Sequence, residues 1–210
     1  MTTFFLVRHG ETVWHAENRY AGLTDVALTP HGLNQGDRLA AWAATASLTG
    51  VWSSPLSRAE FTARKAATAA SLPLNTDARL AELDFGEGEG LTKAEMQERF
   101  PESLAAFEKD PVVHHLPGGE DPTRAASRFC EILGGISAGS PAGRVLVVAH
   151  STVLRLALAT YLGINTSNYR RVFPELKNCS LTELRLNNGQ PALLRYNADA
   201  VAKPVCNSSN

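Results

Sequence analysis

Cysteine, methionine and excess charge of either sign are what this sequence has least of, with three cysteines, two methionines and a formal net charge of -1. Cys130, Cys179 and Cys206 are an odd number without paired spacing, which argues against a disulfide framework or a zinc ribbon. Cys130 and Cys179 are read instead as buried free thiols. The balanced charge leaves no basic excess to hold a nucleic-acid backbone. No apolar run approaches the roughly 20 residues of a membrane helix, and the opening MTTFFLVRHG carries Arg8 where a signal peptide would still be apolar. The expectation is a cytoplasmic chain with neither nucleic acid nor membrane as partner. Its 210 residues, 44% hydrophobic and 20% charged, suffice for one domain with a sizeable core.

What is present is a regular alternation of short apolar runs with helical signals. Thr3 to Val7 is a β-prone run that stops at Arg8-His9-Gly10-Glu11, and Val145 to Ala149 stops at His150, after which Ser151 opens an apolar stretch through Leu162. Thr29-Pro30, Ser54-Pro55 and Asp121-Pro122 each place a capping oxygen before a proline suited to the first helical position. The helices that follow offer Leu33, Ala40 and Ala43; Arg58 through Phe61 and Lys65 to Leu72; and Ala125, Phe129, Ile132 and Ile136. Thr92 and Glu95 fit a capping box for a shorter helix that stops before Pro101. With further strands at Gly50 to Ser53, Cys179 to Leu186 and Ala192 to Tyr196, the pattern predicts an α/β fold, a mostly parallel sheet with helices on both faces. Ser137 to Gly143 reads as a small-residue linker, 203–210 as a loose tail, and Trp14, Trp42 and Trp52 as packing residues.

Ligands of open α/β sheets gather at the carboxyl ends of strands, so the strands ending in Arg8-His9 and in His150 are expected to aim these side chains into one crevice. The amino termini of the helix after Ser151 and of the helix carrying Arg58 are expected to add N–H donors and positive dipole ends. Such a site attracts an anion.

Four segments carry a resemblance. LVRHGET at Leu6–Thr12 resembles the signature of the histidine phosphatase superfamily, the phosphoglycerate-mutase-like enzymes. SSPLSRAEFTA then places Arg58 at the family's phosphate-binding arginine, LAELDFGEGEG places Glu82 at its acid, and VLVVAHS places His150 at its second histidine. The four occur in family order across most of the chain. The resemblance implies a small helical lid insertion at about 87–120, a phosphohistidine formed on His9 with no metal and no cofactor, and Glu82 as proton donor. A small-molecule phosphate ester is the implied partner, with a homodimer left open.

Chemistry agrees with these assignments. A transferring phosphoryl group spreads charge over three oxygens and needs cations on several sides plus one in-line nucleophile. Arg8, Arg58 and His150 supply the clamp, and arginine's planar fork suits two phosphate oxygens. His9 must be unprotonated at its attacking nitrogen, so its other nitrogen is expected to donate to a backbone carbonyl. Glu82 would protonate the leaving oxygen and, once ionised, take a proton from the attacking water. A bound phosphate's negative field favours the protonated carboxyl that the first step needs. On composition alone Asp84, Glu87 and Glu89 compete with Glu82, and only the resemblance selects it. Thr12, His15 and Ser151 are the further expected phosphate- or substrate-binding residues.

The sequence also departs from the family pattern. His15 stands six residues beyond His9, where an asparagine donor is usual. An imidazolium there would make phosphate-ester affinity rise as pH falls through about 6.5, and a His15 turned to solvent is the alternative. Ser151 and Thr152 replace two glycines after His150, and the Ser151 hydroxyl can cap the helix. Ala21 occurs where a polar group is common. His114 and His115 lack metal-ligand spacing and are at most substrate-facing, while Phe100, Leu104 and Phe107 are read as packing the lid helices. The short chain and the DFGEGEG tract favour hydrolysis. Phosphoglycerate mutation is the alternative, with a catalytically silent phosphate-binding module third.

Overall fold

A computed structural model describes residues 1–201. The expected tail at 203–210, with Cys206, lies outside the described residues. Four strands, β1 (Thr2–Arg8), β2 (Gly50–Ser53), β3 (Leu74–Thr76) and β4 (Arg144–Ala149), run parallel. β5 (Leu181–Asn187) and β6 (Gln190–Ala198) extend the sheet antiparallel, in the order β3-β2-β4-β1-β5-β6. β3 is too short and polar to have been read from sequence.

Strand alternation divides the interior in two. Phe4 and Leu6 of β1 and Val145, Val147 and Ala149 of β4 face one core, while Phe5, Val7, Leu146 and Val148 face the other. Every one of these side chains is at most 5% exposed, as a central parallel sheet covered on both faces requires. α1 (Pro30–Ala43) and α2 (Ser57–Ala69) cover the second face; α5 (Pro122–Gly139) and α6 (Ser151–Tyr161) cover the first. α3 (Lys93–Arg99), α4 (Pro101–Lys109) and the short α7 (Tyr169–Val172) complete the helices. Met96, Leu104, Phe107 and Leu116, from the stretch expected to form a lid, are buried in the first core. Among the described residues no helix is long and apolar enough to cross a membrane.

The caps at Thr29 and Asp121 form as expected, with side-chain acceptors for Gly32 N and Thr123 N, and so does the Thr92–Glu95 capping box. Ser54-Pro55 does not start a helix. The Ser54 hydroxyl instead accepts from Leu56 N at 3.2 Å in a turn, and α2 begins at Ser57, whose N–H is held by Asp25 at 2.8 Å. Burial corrects two further expectations. Leu33 and Phe61 are exposed, because α1 and α2 meet through the smaller Gly32, Gly36, Ala59, Thr62 and Ala63. The presumed linker at Ser137 is helical as far as Gly139. Trp42 packs on Phe5 with ring centroids 5.0 Å apart, whereas Trp14 lines the main cleft. Cys179 is buried and Cys130 half-buried, both as free thiols.

Candidate active site

In the β1–β4 register Arg8 lies opposite Ala149, so both strands end at one level and the next residue of each, His9 and His150, turns into the same space. His9 N donates to Ala149 O at 3.0 Å, and the two imidazole centroids are 5.1 Å apart. From there the chain passes to α1 on one face and to α6 on the other, which opens a crevice between them.

The loop after His9 lies against α1 backbone to backbone. A Cβ on Gly10 would stand 2.5 Å from Gly32 O, and one on Gly32 would stand 2.1 Å from Glu11 O, so both must be glycine. Gly10 N donates to Thr62 Oγ1 of α2, and Asn178 Nδ2 donates to His9 O at 2.7 Å. Four chain segments therefore fix the His9 backbone. Its Nδ1 is 2.7 Å from the Gly10 carbonyl, which can only accept, so Nδ1 carries the proton and Nε2 keeps its lone pair. The expected acceptor is thus found one residue away. Burial, and then the charges of Arg58 and Arg8, hold the His9 imidazole well below the usual histidine range, which keeps it neutral.

Around His9 stand polar atoms with no protein partner. Of five such buried side-chain atoms among the described residues, four are Arg8 Nε, Arg58 Nε and both ring nitrogens of His150. An unmatched buried donor costs about 1–3 kcal/mol, so this grouping at one point calls for an anion to receive it. The other guanidinium nitrogens are engaged. Arg58 donates to Thr24 O and Gly22 O at 2.8 and 2.7 Å, and Arg8 donates to Leu176 O at 2.9 Å. Burial lowers the Arg8 guanidinium to about 10 and also lowers Arg58, yet each stays charged at neutral pH.

Burial, followed by the nearby Arg58, also pushes the His150 imidazole well down. An unfolded chain would take up protons near pH 6.5 at His9 and His150, while the folded protein resists until lower pH. The stability associated with keeping them neutral is therefore fully present above that value and is lost progressively as pH falls below it, down through the lower pKa values of the folded state. Thermal midpoints are expected to drop between about pH 7 and about pH 5, and His150→Gln is expected to flatten that slope. An unchanged slope in the variant would contradict the assigned cause.

Glu82 is 4% exposed and lines the cleft. Its carboxylate accepts from Thr152 N and Val153 N at 2.9 Å each and from Leu83 N at 2.8 Å. It therefore caps α6, in the place expected of the Ser151 hydroxyl. The helix amino ends differ from expectation for the same reason: Asp25 holds the first N–H of α2, and Glu82 holds two N–H groups of α6. Asp84 accepts from Gly86 N and Glu89 from Leu23 N, and neither lines the cleft.

His15 faces the cleft and is not turned to solvent. Both its ring nitrogens meet donors: Arg8 Nη2 lies 2.6 Å from Nε2, and Thr12 N donates to Nδ1 at 3.0 Å, with Thr12 Oγ1 2.9 Å from the same nitrogen. Burial and the Arg8 charge lower the His15 pKa, so an imidazolium forms only below the ordinary value and not at about 6.5. Protonation would also set it against Arg8. Thr12, Ser151 and Ala21 line the cleft too, whereas His114 and His115 are exposed and outside it.

Residues 4–199 match the sequence profile of the histidine phosphatase superfamily (branch 1). The chain belongs to the histidine phosphatase superfamily. Among its relatives, a probable phosphoglycerate mutase GpmB of Proteus mirabilis is 34% identical over 90% of this chain and 86% of that protein. Phosphoserine phosphatase 1 of Hydrogenobacter thermophilus is 30% identical over 80% of each. Among solved structures, Bacillus stearothermophilus YhfR superposes with a TM-score of 0.89 at 27% identity, covering 94% of this chain and 98% of that one. A mycobacterial glucosyl-3-phosphoglycerate phosphatase, in complex with VO3, gives 0.86 at 25%, covering 95% and 100%.

In this member of the histidine phosphatase superfamily the cleft holds about 420 Å³. Part of its wall was missed from sequence: the rings of Trp14, Tyr20 and Phe85 and the guanidiniums of Arg155 and Arg170. A signal for Arg155 exists. It is the lone charge in the apolar stretch from Val153 to Leu158, where a purely packed helix would carry none.

Proposed function

We propose that this histidine phosphatase is a phosphomonoesterase that hydrolyses a small phosphorylated metabolite through a phosphohistidine on His9. The observation that carries the reading is the neutral His9 with Nε2 open to the cleft, surrounded by the unmatched donors of Arg8, Arg58 and His150. The Nε2 lone pair attacks phosphorus in line, the ester P–O bond breaks, and the departing oxygen takes a proton from Glu82. Water then attacks the phosphohistidine, gives its proton to the Glu82 carboxylate, and releases phosphate as the P–N bond breaks. Arg8, Arg58 and His150 hold the three equatorial oxygens throughout, with no metal called upon. Thr12, His15 and Ser151 border the same space and contact the ester, and segment 87–120 acts as the lid.

The names of the phosphoserine and glucosyl-3-phosphoglycerate phosphatases support hydrolysis. The relative named as a probable phosphoglycerate mutase favours a second reading, phosphoryl transfer between hydroxyls. Purified protein is expected to release inorganic phosphate from 4-nitrophenyl phosphate without added bisphosphoglycerate. Strict dependence on that additive would establish the mutase reading, and phosphate-ester binding with no turnover between about pH 5 and about pH 8 would establish a silent binding module.

A further inference from the structure

Arg155 and Arg170 are two more cations that line the cleft. Both pack on Tyr169, which is 2% exposed: the Arg155 guanidinium carbon is 5.1 Å and that of Arg170 is 5.7 Å from its ring centroid, and Arg170 also stacks on Phe107 at 4.7 Å. Arg155 Nε donates to Ser151 O at 3.1 Å and Nη1 to Phe173 O at 3.3 Å, while Arg170 Nε donates to the Tyr169 hydroxyl at 3.0 Å. Both are therefore held in fixed orientation by rings and uncharged oxygens.

Neither forms an ion pair among the described residues. Arg19, another cation lining the cleft, is matched by Glu17 and Glu95, and among the described residues Glu82 is the one carboxylate lining the cleft. Two stacked, half-buried guanidiniums without counterions are a costly arrangement for packing alone, since a leucine or glutamine would pack without desolvating a charge. They come from α6 and α7, and neither is hydrogen-bonded to His9, Arg58 or His150.

We infer that Arg155 and Arg170 form a second anion subsite in this cleft, and that the ester cleaved there bears a carboxylate or a second phosphate on its alcohol portion. The inference rests on the hydrolase reading for the position of the first phosphate. Planar guanidinium forks match either anion, and both lie within the same cleft as the aromatic wall of Trp14, Tyr20 and Phe85.

The test compares three esters on one carbon frame: glycerol 1-phosphate, 3-phosphoglycerate and glycerol 1,3-bisphosphate. At least one of the anion-bearing esters is expected to exceed glycerol 1-phosphate in kcat/KM by about tenfold or more, and which one does so separates carboxylate from phosphate. In the Arg155→Gln/Arg170→Gln double variant that ratio is expected to fall to within about threefold. Should the double variant not fold, each single variant is expected to lower the ratio in part. Equal rates for all three esters in the wild-type protein, or a ratio unchanged in the variants, would overturn the inference. If the wild-type protein turned over none of these esters nor 4-nitrophenyl phosphate, it is the hydrolase reading that fails. Calorimetric binding of the same three esters then decides the subsite by the same ratio.

Discussion

His9→Ala is expected to lower kcat by about four orders of magnitude or more on every ester, because it removes the group proposed to form the covalent intermediate. The expectation comes from geometry. Nδ1 is committed to the Gly10 carbonyl, and Nε2 carries the lone pair beside the unmatched polar atoms of Arg8, Arg58 and His150. The variant should still fold, since β1 is held through Phe4, Phe5, Leu6 and Val7 and the loop through Gly10 and Gly32. It should also still bind inorganic phosphate, measured by calorimetry, because the clamp is intact. Turnover within about a hundredfold of wild type in a folded variant would contradict the role given to His9.

Glu82→Gln is expected to lower kcat by about 10²- to 10⁴-fold on alkyl phosphates, the range for loss of a positioned proton donor. The loss should shrink for 4-nitrophenyl phosphate, whose departing phenolate needs no proton. Because Glu82 also serves as base toward the attacking water, that substrate should then show a burst of nitrophenolate followed by slow turnover. A merely structural role predicts otherwise. Glu82 ties α6 to the loop before Leu83 through Thr152 N, Val153 N and Leu83 N, and losing those bonds alone would depress all esters equally with no burst. An effect independent of the leaving group would thus reassign Glu82 from acid to positioning residue.

The parts legible in the sequence are those encoded locally. Apolar runs that stop at Arg8 and at His150 announce strands that deliver side chains, and Thr29-Pro30 and Asp121-Pro122 announce helices. The same local signal failed at Ser54-Pro55, because Asp25, 32 residues earlier, holds the first N–H of α2 and lets the helix start later. Long-range matches of this kind have no signature in one sequence. The capture of the α6 amino end by Glu82, 70 residues away from Thr152, is another, and it replaced the capping role expected of Ser151. Leu33 and Phe61 misled for a related reason: apolar side chains mark a buried face only if the partner helix has room, and the α1–α2 contact is built on small residues. Arg155 and Arg170 were passed over because each lies in a helix and meets the cleft only through the fold.

The central claim is that a phosphoryl group resides for a time on His9 Nε2. Brief mixing of the wild-type protein with an isotopically labelled phosphate ester, followed by alkaline denaturation and peptide mapping, is expected to give an acid-labile, base-stable label on the peptide containing Arg8 and His9. His9→Ala should give none. Label absent from wild type under conditions of measured turnover, or attached to any other residue, would contradict the account.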